Sequence, residues 1–134
     1  MPPVSPLAPA SFPDLPKVAG VRFATVAAGI KYKGRTDVML AELAEGSTVA
    51  GVYTKSATRS AAVLDCQAKT GGTAAGKAAI LVNSGNSNAF TGRNGIASVE
   101  AITAAAGKAF GIDPARIFTS STGVIGEPLP HDRI

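Results

Sequence analysis

Ala78-Ala-Ile-Leu-Val82 runs directly into Asn83-Ser-Gly-Asn-Ser-Asn-Ala-Phe-Thr-Gly92, and an alanine-rich stretch over residues 96–110 follows. The first five residues are wholly apolar, as expected of a short strand covered on both faces. The next ten place Asn, Ser and Thr side chains between glycines, a dense polar loop at a strand's end. Residues 96–110 read as a helix whose larger apolar members are Ile96, Val99, Ile102 and Phe110. Asp113-Pro114 then turns the chain into a second strand-like run, Arg116-Ile-Phe-Thr119. Strand and helix patterns alternate, which argues for an α/β fold with helices packed on a sheet.

Upstream, Val18 to Ala27 and Asp37 to Leu43 read as strands separated by a basic turn at Lys31, Lys33 and Arg35. Val49-Ala-Gly-Val-Tyr-Thr54 reads as a third strand after the turn Glu45-Gly-Ser47. Ser60 suits the N-cap of a helix reaching about Lys69, which Gly71-Gly72 ends. Residues 1–16, with Pro2, Pro3, Pro6, Pro9, Pro13 and Pro16, read as an extended arm, and residues 17–134 as one α/β unit without a linker or a fixed-period repeat. The arm lacks the basic and apolar regions of a secretory signal. No apolar run reaches membrane-spanning length.

At 134 residues the chain has single-domain size, and with 5% aromatics and no Trp its core must be built from Ala, Val, Ile and Leu. The net charge of +4 is modest. The Lys31, Lys33, Arg35 cluster reads either as attraction for an acidic substrate or phosphate or as a solvated turn. No extended interleaving of basic and aromatic residues supports nucleic-acid binding, which is not expected. A single cysteine, Cys66, excludes an internal disulfide and fits a reducing, cytoplasmic setting. It sits in a helix-like run as a small buried hydrophobe. With His131 the only histidine, neither a Cys–His pair nor a zinc site is expected.

Three glycine-bearing motifs compete for the chemistry. Gly71-Gly-Thr-Ala-Ala-Gly-Lys-Ala78 has P-loop spacing, but Ala78 stands where Ser or Thr would hold magnesium. It also follows a helix and opens a strand, the reverse of a P-loop's context. The Asn83–Thr91 loop offers amides that either recognise a ligand or fix their own backbone turns. Ser120-Ser-Thr-Gly123, with Gly126 beyond, reads as a small-residue turn whose backbone N–H groups point outward. Outward N–H groups and a threonine hydroxyl are the parts of an oxyanion hole. The plain alternative is a strand-to-helix connection, with Pro128 and Pro130 preparing a helix start.

Taken together, the Val82–Gly92 motif and Ser120-Ser-Thr-Gly-Val-Ile-Gly-Glu-Pro-Leu-Pro130 closely resemble the ornithine acetyltransferase family of arginine biosynthesis, also described as glutamate N-acetyltransferases. Ala28-Gly-Ile-Lys-Tyr-Lys-Gly-Arg-Thr-Asp37 and Ala50-Gly-Val-Tyr-Thr54 are similar to that family's opening segments. The resemblance runs from about Lys17 to Ile134, with Ser87 and Phe90 as departures from the family's usual Ala and Cys. It implies a mixed-sheet layered α/β sandwich of the self-cleaving aminopeptidase and ornithine acetyltransferase type, incomplete in this chain.

The implied reaction moves acetyl from N-acetylornithine to glutamate through an acetyl-threonine intermediate, with acetyl-CoA a possible co-substrate and no bound cofactor or metal. The resemblance implies Thr122 and Gly123 as oxyanion donors; Asn83, Asn86 and Asn88 of the polar loop are the candidate substrate-binding groups. The family's nucleophilic threonine lies further along than Ile134, so this stretch matches the N-terminal part of an α chain. Its implied partner is the β chain of the same precursor, in a heterotetramer of two α and two β chains. Alone, this chain is expected to be inactive. Two alternatives stay open: a small-molecule-binding or assembly module without catalysis, and a related aminopeptidase with an N-terminal nucleophile.

Overall fold

Four strands form one mixed sheet in the order β1 (Val21–Val26), β2 (Val38–Leu43), β3 (Ala78–Asn86), β4 (Ile117–Val124) in a computed structural model that describes residues 4–134. β1 pairs antiparallel with β2, and β2 antiparallel with β3. β3 pairs parallel with β4. Parallel neighbours need a long crossover, and α2 (Gly92–Phe110) supplies it. α1 (Ala61–Lys69) precedes β3. Pro2 and Pro3 of the arm lie outside the described residues; residues 4–16 form no helix or strand and are exposed.

The sheet's two faces differ. Val38, Ala79, Leu81 and Ile117 pack with Ile102 and Ala106 of α2 in the main core, joined by Ile30, Ile112 and Leu129. Period-two alternation puts Phe23, Met39, Ile80 and Val82 on the other face. Ile80 and Val82 are half-buried there rather than fully covered, and Phe23 is 69% exposed. The expected cover on both faces of Ala78–Val82 is complete on the α2 face and only partial on the other, where Ala78 is buried but Ile80 and Val82 are not.

α1 seals the outer edge of β4. Ser60 caps it, its hydroxyl accepting from Val63 N at 3.4 Å. Ala61 and Ala62 pack on Val99 of α2. The Cys66 thiol accepts from Thr119 N (3.3 Å) and donates to Thr119 O (3.2 Å), and Lys69 Nζ donates to Ile117 O at 3.1 Å. An edge strand's unpaired backbone is thus satisfied by side chains of a helix. Burial pushes the Cys66 thiol above its ordinary pKa, so it is an inert bridge.

Several boundaries differ from the sequence reading. Val49–Thr54 forms no strand and pairs with neither edge strand of the sheet. Val52 is 99% exposed, and the Tyr53 hydroxyl instead bonds Thr70 Oγ1 and Cys66 O, tying the segment to the end of α1. β3 continues to Asn86, so the first four residues of the polar loop are strand. β4 continues to Val124, so Ser120–Gly123 is strand rather than turn, because the parallel register with β3 persists to Gly123. α2 begins at Gly92, four residues early. The helix start near Pro130 is only a 3-10 turn, His131–Arg133.

Candidate active site

The C-terminal ends of β3 and β4 carry the sequence-predicted residues together. Thr122 and Gly123 are exposed, whereas Asn83, Asn86 and Asn88 are 1%, 2% and 0% exposed. Ile117 and Thr119 turn backbone groups toward α1. Val124 O turns the other way and accepts from Ser87 N (2.9 Å) and Ser87 Oγ (2.8 Å). Backbone direction thus alternates along β4 between the α1 edge and β3, and the exposed Gly123 lies past the residues that α1 bonds. The same alternation sets the Thr122 side chain beside Ser84 on the face away from α2.

Two glycines make this end possible. Gly123 lies opposite Gly85 at φ +134°, and a Cβ on it would approach Gly85 O to 2.6 Å and Asn86 N to 2.5 Å. Gly85, at φ +103°, is backed by Lys31, whose Cβ would lie 2.9 Å from an added Cβ. The ladder is irregular at Gly85/Asn86, where Asn86 faces both Thr122 and Val124. Such a bulge ends pairing and re-aims the strand.

The asparagine side chains bond the chain itself. Asn83 Oδ1 accepts from Ser121 Oγ (2.6 Å), and its Nδ2 donates to Asn86 O (2.9 Å). Asn86 Nδ2 donates to Glu127 O (3.1 Å) and Pro128 O (3.2 Å), while its Oδ1 accepts from Asn88 N (2.7 Å). Asn88 Nδ2 donates to Gly95 O (3.0 Å), and its Oδ1 accepts from Thr91 Oγ1 (2.9 Å). Asn88 and Phe90 have positive φ, 48° and 57°. Asn tolerates that region readily; an exposed Phe does so only where its surroundings fix it.

The basic turn closes over the same end. The Asp37 carboxylate accepts from Ala28 N and Ile30 N, both at 2.7 Å, folding residues 28–30 back onto β2. Lys31 Nζ reaches both carboxylate oxygens of Glu127, at 2.7 and 2.9 Å, and Arg35 stacks 4.6 Å from the Tyr32 ring centroid. Lys31 thus belongs to the site's wall, and Arg35 to a solvated cation–π pair. Sequence reasoning missed Ser121, Ser87 and Glu127 as members of the site. The glycine of Asn-Ser-Gly-Asn was the available signal, since a close strand approach calls for one.

Other chemistry-bearing groups do not assemble a centre. Ser98 Oγ lies 3.0 Å from His131 Nδ1, but it also donates to Asn94 O at 2.9 Å within α2, so its proton is directed into the helix. The P-loop-like residues 71–76 line a cavity of about 700 Å³ at the opposite end of the sheet. Among the described residues, no group of three His, Cys, Asp or Glu is placed to hold a metal, and no helix is long and apolar enough to cross a membrane.

Residues 22–134 match the model of the ArgJ family. The chain is 66% identical over 131 residues to the arginine biosynthesis bifunctional protein ArgJ of Ruegeria pomeroyi, covering 98% of this chain and 32% of that protein. It is 56% identical over 128 residues to the protein of the same name from Nitrobacter winogradskyi, covering 94% and 31%. The chain therefore spans about a third of the length of these curated relatives. Among solved structures it superposes on Bacillus halodurans ArgJ with a TM-score of 0.77 at 32% identity, covering 86% of this chain and 59% of that one. The Mycobacterium tuberculosis ornithine acetyltransferase complexed with ornithine gives 0.72 at 36% identity, covering 86% and 62%.

Proposed function

Because this chain belongs to the ArgJ family of arginine biosynthesis, we propose that it forms the N-terminal part of an acetyltransferase that moves acetyl from N-acetylornithine to glutamate. The observation that carries the reading is the end of β4: Thr122 and Gly123 are exposed on a strand whose neighbours on both sides are bonded in place. In that reaction a threonine hydroxyl from the rest of the precursor attacks the acetyl carbonyl and releases ornithine. The acetyl-threonine then passes its acetyl group to the amine of glutamate. Each step raises a tetrahedral oxyanion, and the Thr122 hydroxyl and Gly123 N–H are its donors. Donors fixed beforehand do not have to reorganise as charge develops, which is why their loss costs so much rate.

The partner in this reading is a β chain starting at the nucleophilic threonine, cut from the same precursor and assembled as two α and two β chains. A length comparison supports it: the sequence fills 59–62% of the solved chains but only 32% of a curated relative, so the solved chains are much shorter than the relatives. Acetyl-CoA enters as an alternative acetyl donor to glutamate.

The test is intact-mass spectrometry of the full-length product, followed by an assay of acetyl transfer from N-acetylornithine to glutamate. A second polypeptide starting with threonine, together with turnover, is the expected result. Turnover by the 134-residue chain with no such companion would sink the proposal.

A further inference from the structure

We propose that Asn83 and Asn86 are positioning residues for the Gly123 donor and do not touch the substrate, an inference that rests on the oxyanion reading above. Gly123 has the freedom of a glycine beside a bulge, and left alone it would sample many N–H directions. The two asparagines remove that freedom from both sides. Asn83 takes the Ser121 hydroxyl, two residues before Gly123, and Asn86 donates to the carbonyls of Glu127 and Pro128 beyond it. Asn83 Nδ2 to Asn86 O joins the two clamps into one unit. Between them, Val124 O is held by Ser87 and Gly126 N donates to Ala89 O at 2.9 Å.

A carboxamide suits this task because it donates and accepts at once and does not titrate. Exposures of 1% and 2% put both side chains out of a ligand's reach. The asparagine loop thus acts on the reaction through the backbone of β4. Fixed donors matter at this scale, since a misplacement of about 1 Å can cost on the order of a hundredfold in rate.

The decisive variant is Ser121→Ala, which removes the hydroxyl that Asn83 receives while leaving Thr122 and Gly123 in sequence. In the full-length two-chain enzyme, kcat falls by about tenfold or more with KM for N-acetylornithine unchanged. In the 134-residue chain the Gly123 amide resonance moves while its melting temperature stays within a few degrees. A raised KM with kcat unchanged would mean that the Asn83 side of the site meets the substrate, and would overturn the proposal. Unchanged kinetics with an unmoved Gly123 resonance would overturn it too. Asn83→Ser is the companion variant; should it fail to fold, Ser121→Ala still decides. Thr122→Ala separates the two readings: unchanged kcat there breaks the oxyanion reading, while a shifted Gly123 resonance in Ser121→Ala still upholds the brace.

Discussion

The two halves of the β3–β4 pair obey opposite rules. At the first end Ala79, Leu81 and Ile117 are apolar and buried against α2, and the edge backbone of β4 is closed by Cys66 and Lys69. At the other end the buried side chains are Asn83, Asn86 and Asn88, and the residues left at the surface are Thr122 and Gly123. One end is stabilised by removing apolar area from water and the other by satisfied hydrogen bonds. The first end has no free backbone donor to offer. At the second, the asparagine network fixes the strand from the inside while Thr122 and Gly123 stay exposed.

The comparison breaks first at Thr122. In the full-length enzyme, Thr122→Ala should lower kcat by about a hundred- to a thousandfold, on the order of 3–4 kcal/mol of barrier, with KM nearly unchanged. Its melting temperature should match the parent's, because the side chain is exposed. A KM effect in place of a kcat effect would recast this end as a binding surface. Next in size is Gly123→Ala, which tests the same end for packing. The new methyl meets Gly85 O and Asn86 N at 2.5–2.6 Å, and the φ of +134° strains any L side chain. A loss of about 2–4 kcal/mol in stability is expected from the clash and the strain together, read by denaturant unfolding of the 134-residue chain. A neutral result would mean that the two strands do not approach so closely.

How much of this was legible beforehand also divides along the pair. The apolar end was: Ala78–Val82 and Arg116–Thr119 announced strands, and Ser60 announced the cap of α1. The polar end was legible in composition but not in conformation. Residues 83–86 and 120–123 look like turns because Asn, Ser and Gly favour turns locally, and only the parallel register between distant segments holds them extended. Val49–Thr54 failed in the reverse direction: its local preference is for a strand, yet tertiary contacts won, with Tyr53 tied to the end of α1 and no sheet edge joined. The roles proposed for Thr122 and Gly123 came from family resemblance. Burial of the asparagines could not be read from sequence, because the same side chains serve a ligand or their own backbone equally well.

A smaller effect tests the sealed end. Cys66→Ala removes the acceptor for Thr119 N and opens part of β4's edge, and should cost about 1–3 kcal/mol. Cys66→Ser, which keeps an acceptor, should cost less. The native thiol should resist alkylation near neutral pH, because burial raises its pKa and closes access. Its contribution is fully present below the ordinary thiol pKa and is lost as pH rises through the higher folded value. Rapid labelling without loss of structure would show that α1 lifts from the edge.

The smallest effect belongs to Glu42, at the same end of the sheet, opposite Ala79 on β2. Its carboxylate is buried between Lys77, 3.1 Å away, and Arg22, paired with it across β1, and these cations hold its pKa below the ordinary 4.5, Lys77 contributing most. A lowered folded pKa means that the folded state keeps the charge longer than the unfolded chain does. The stabilisation is therefore complete above the ordinary glutamate value and disappears as pH falls through the lower folded one. Both cations are largely open to solvent, so the effect is modest and should shrink further in salt. Glu42→Gln should flatten this part of the acid limb in a plot of unfolding midpoint against pH, and leave the Gly123 amide resonance where it is. Movement of that resonance would show that the two ends of the strand pair are coupled, and that sealing one end helps to set the geometry of the other.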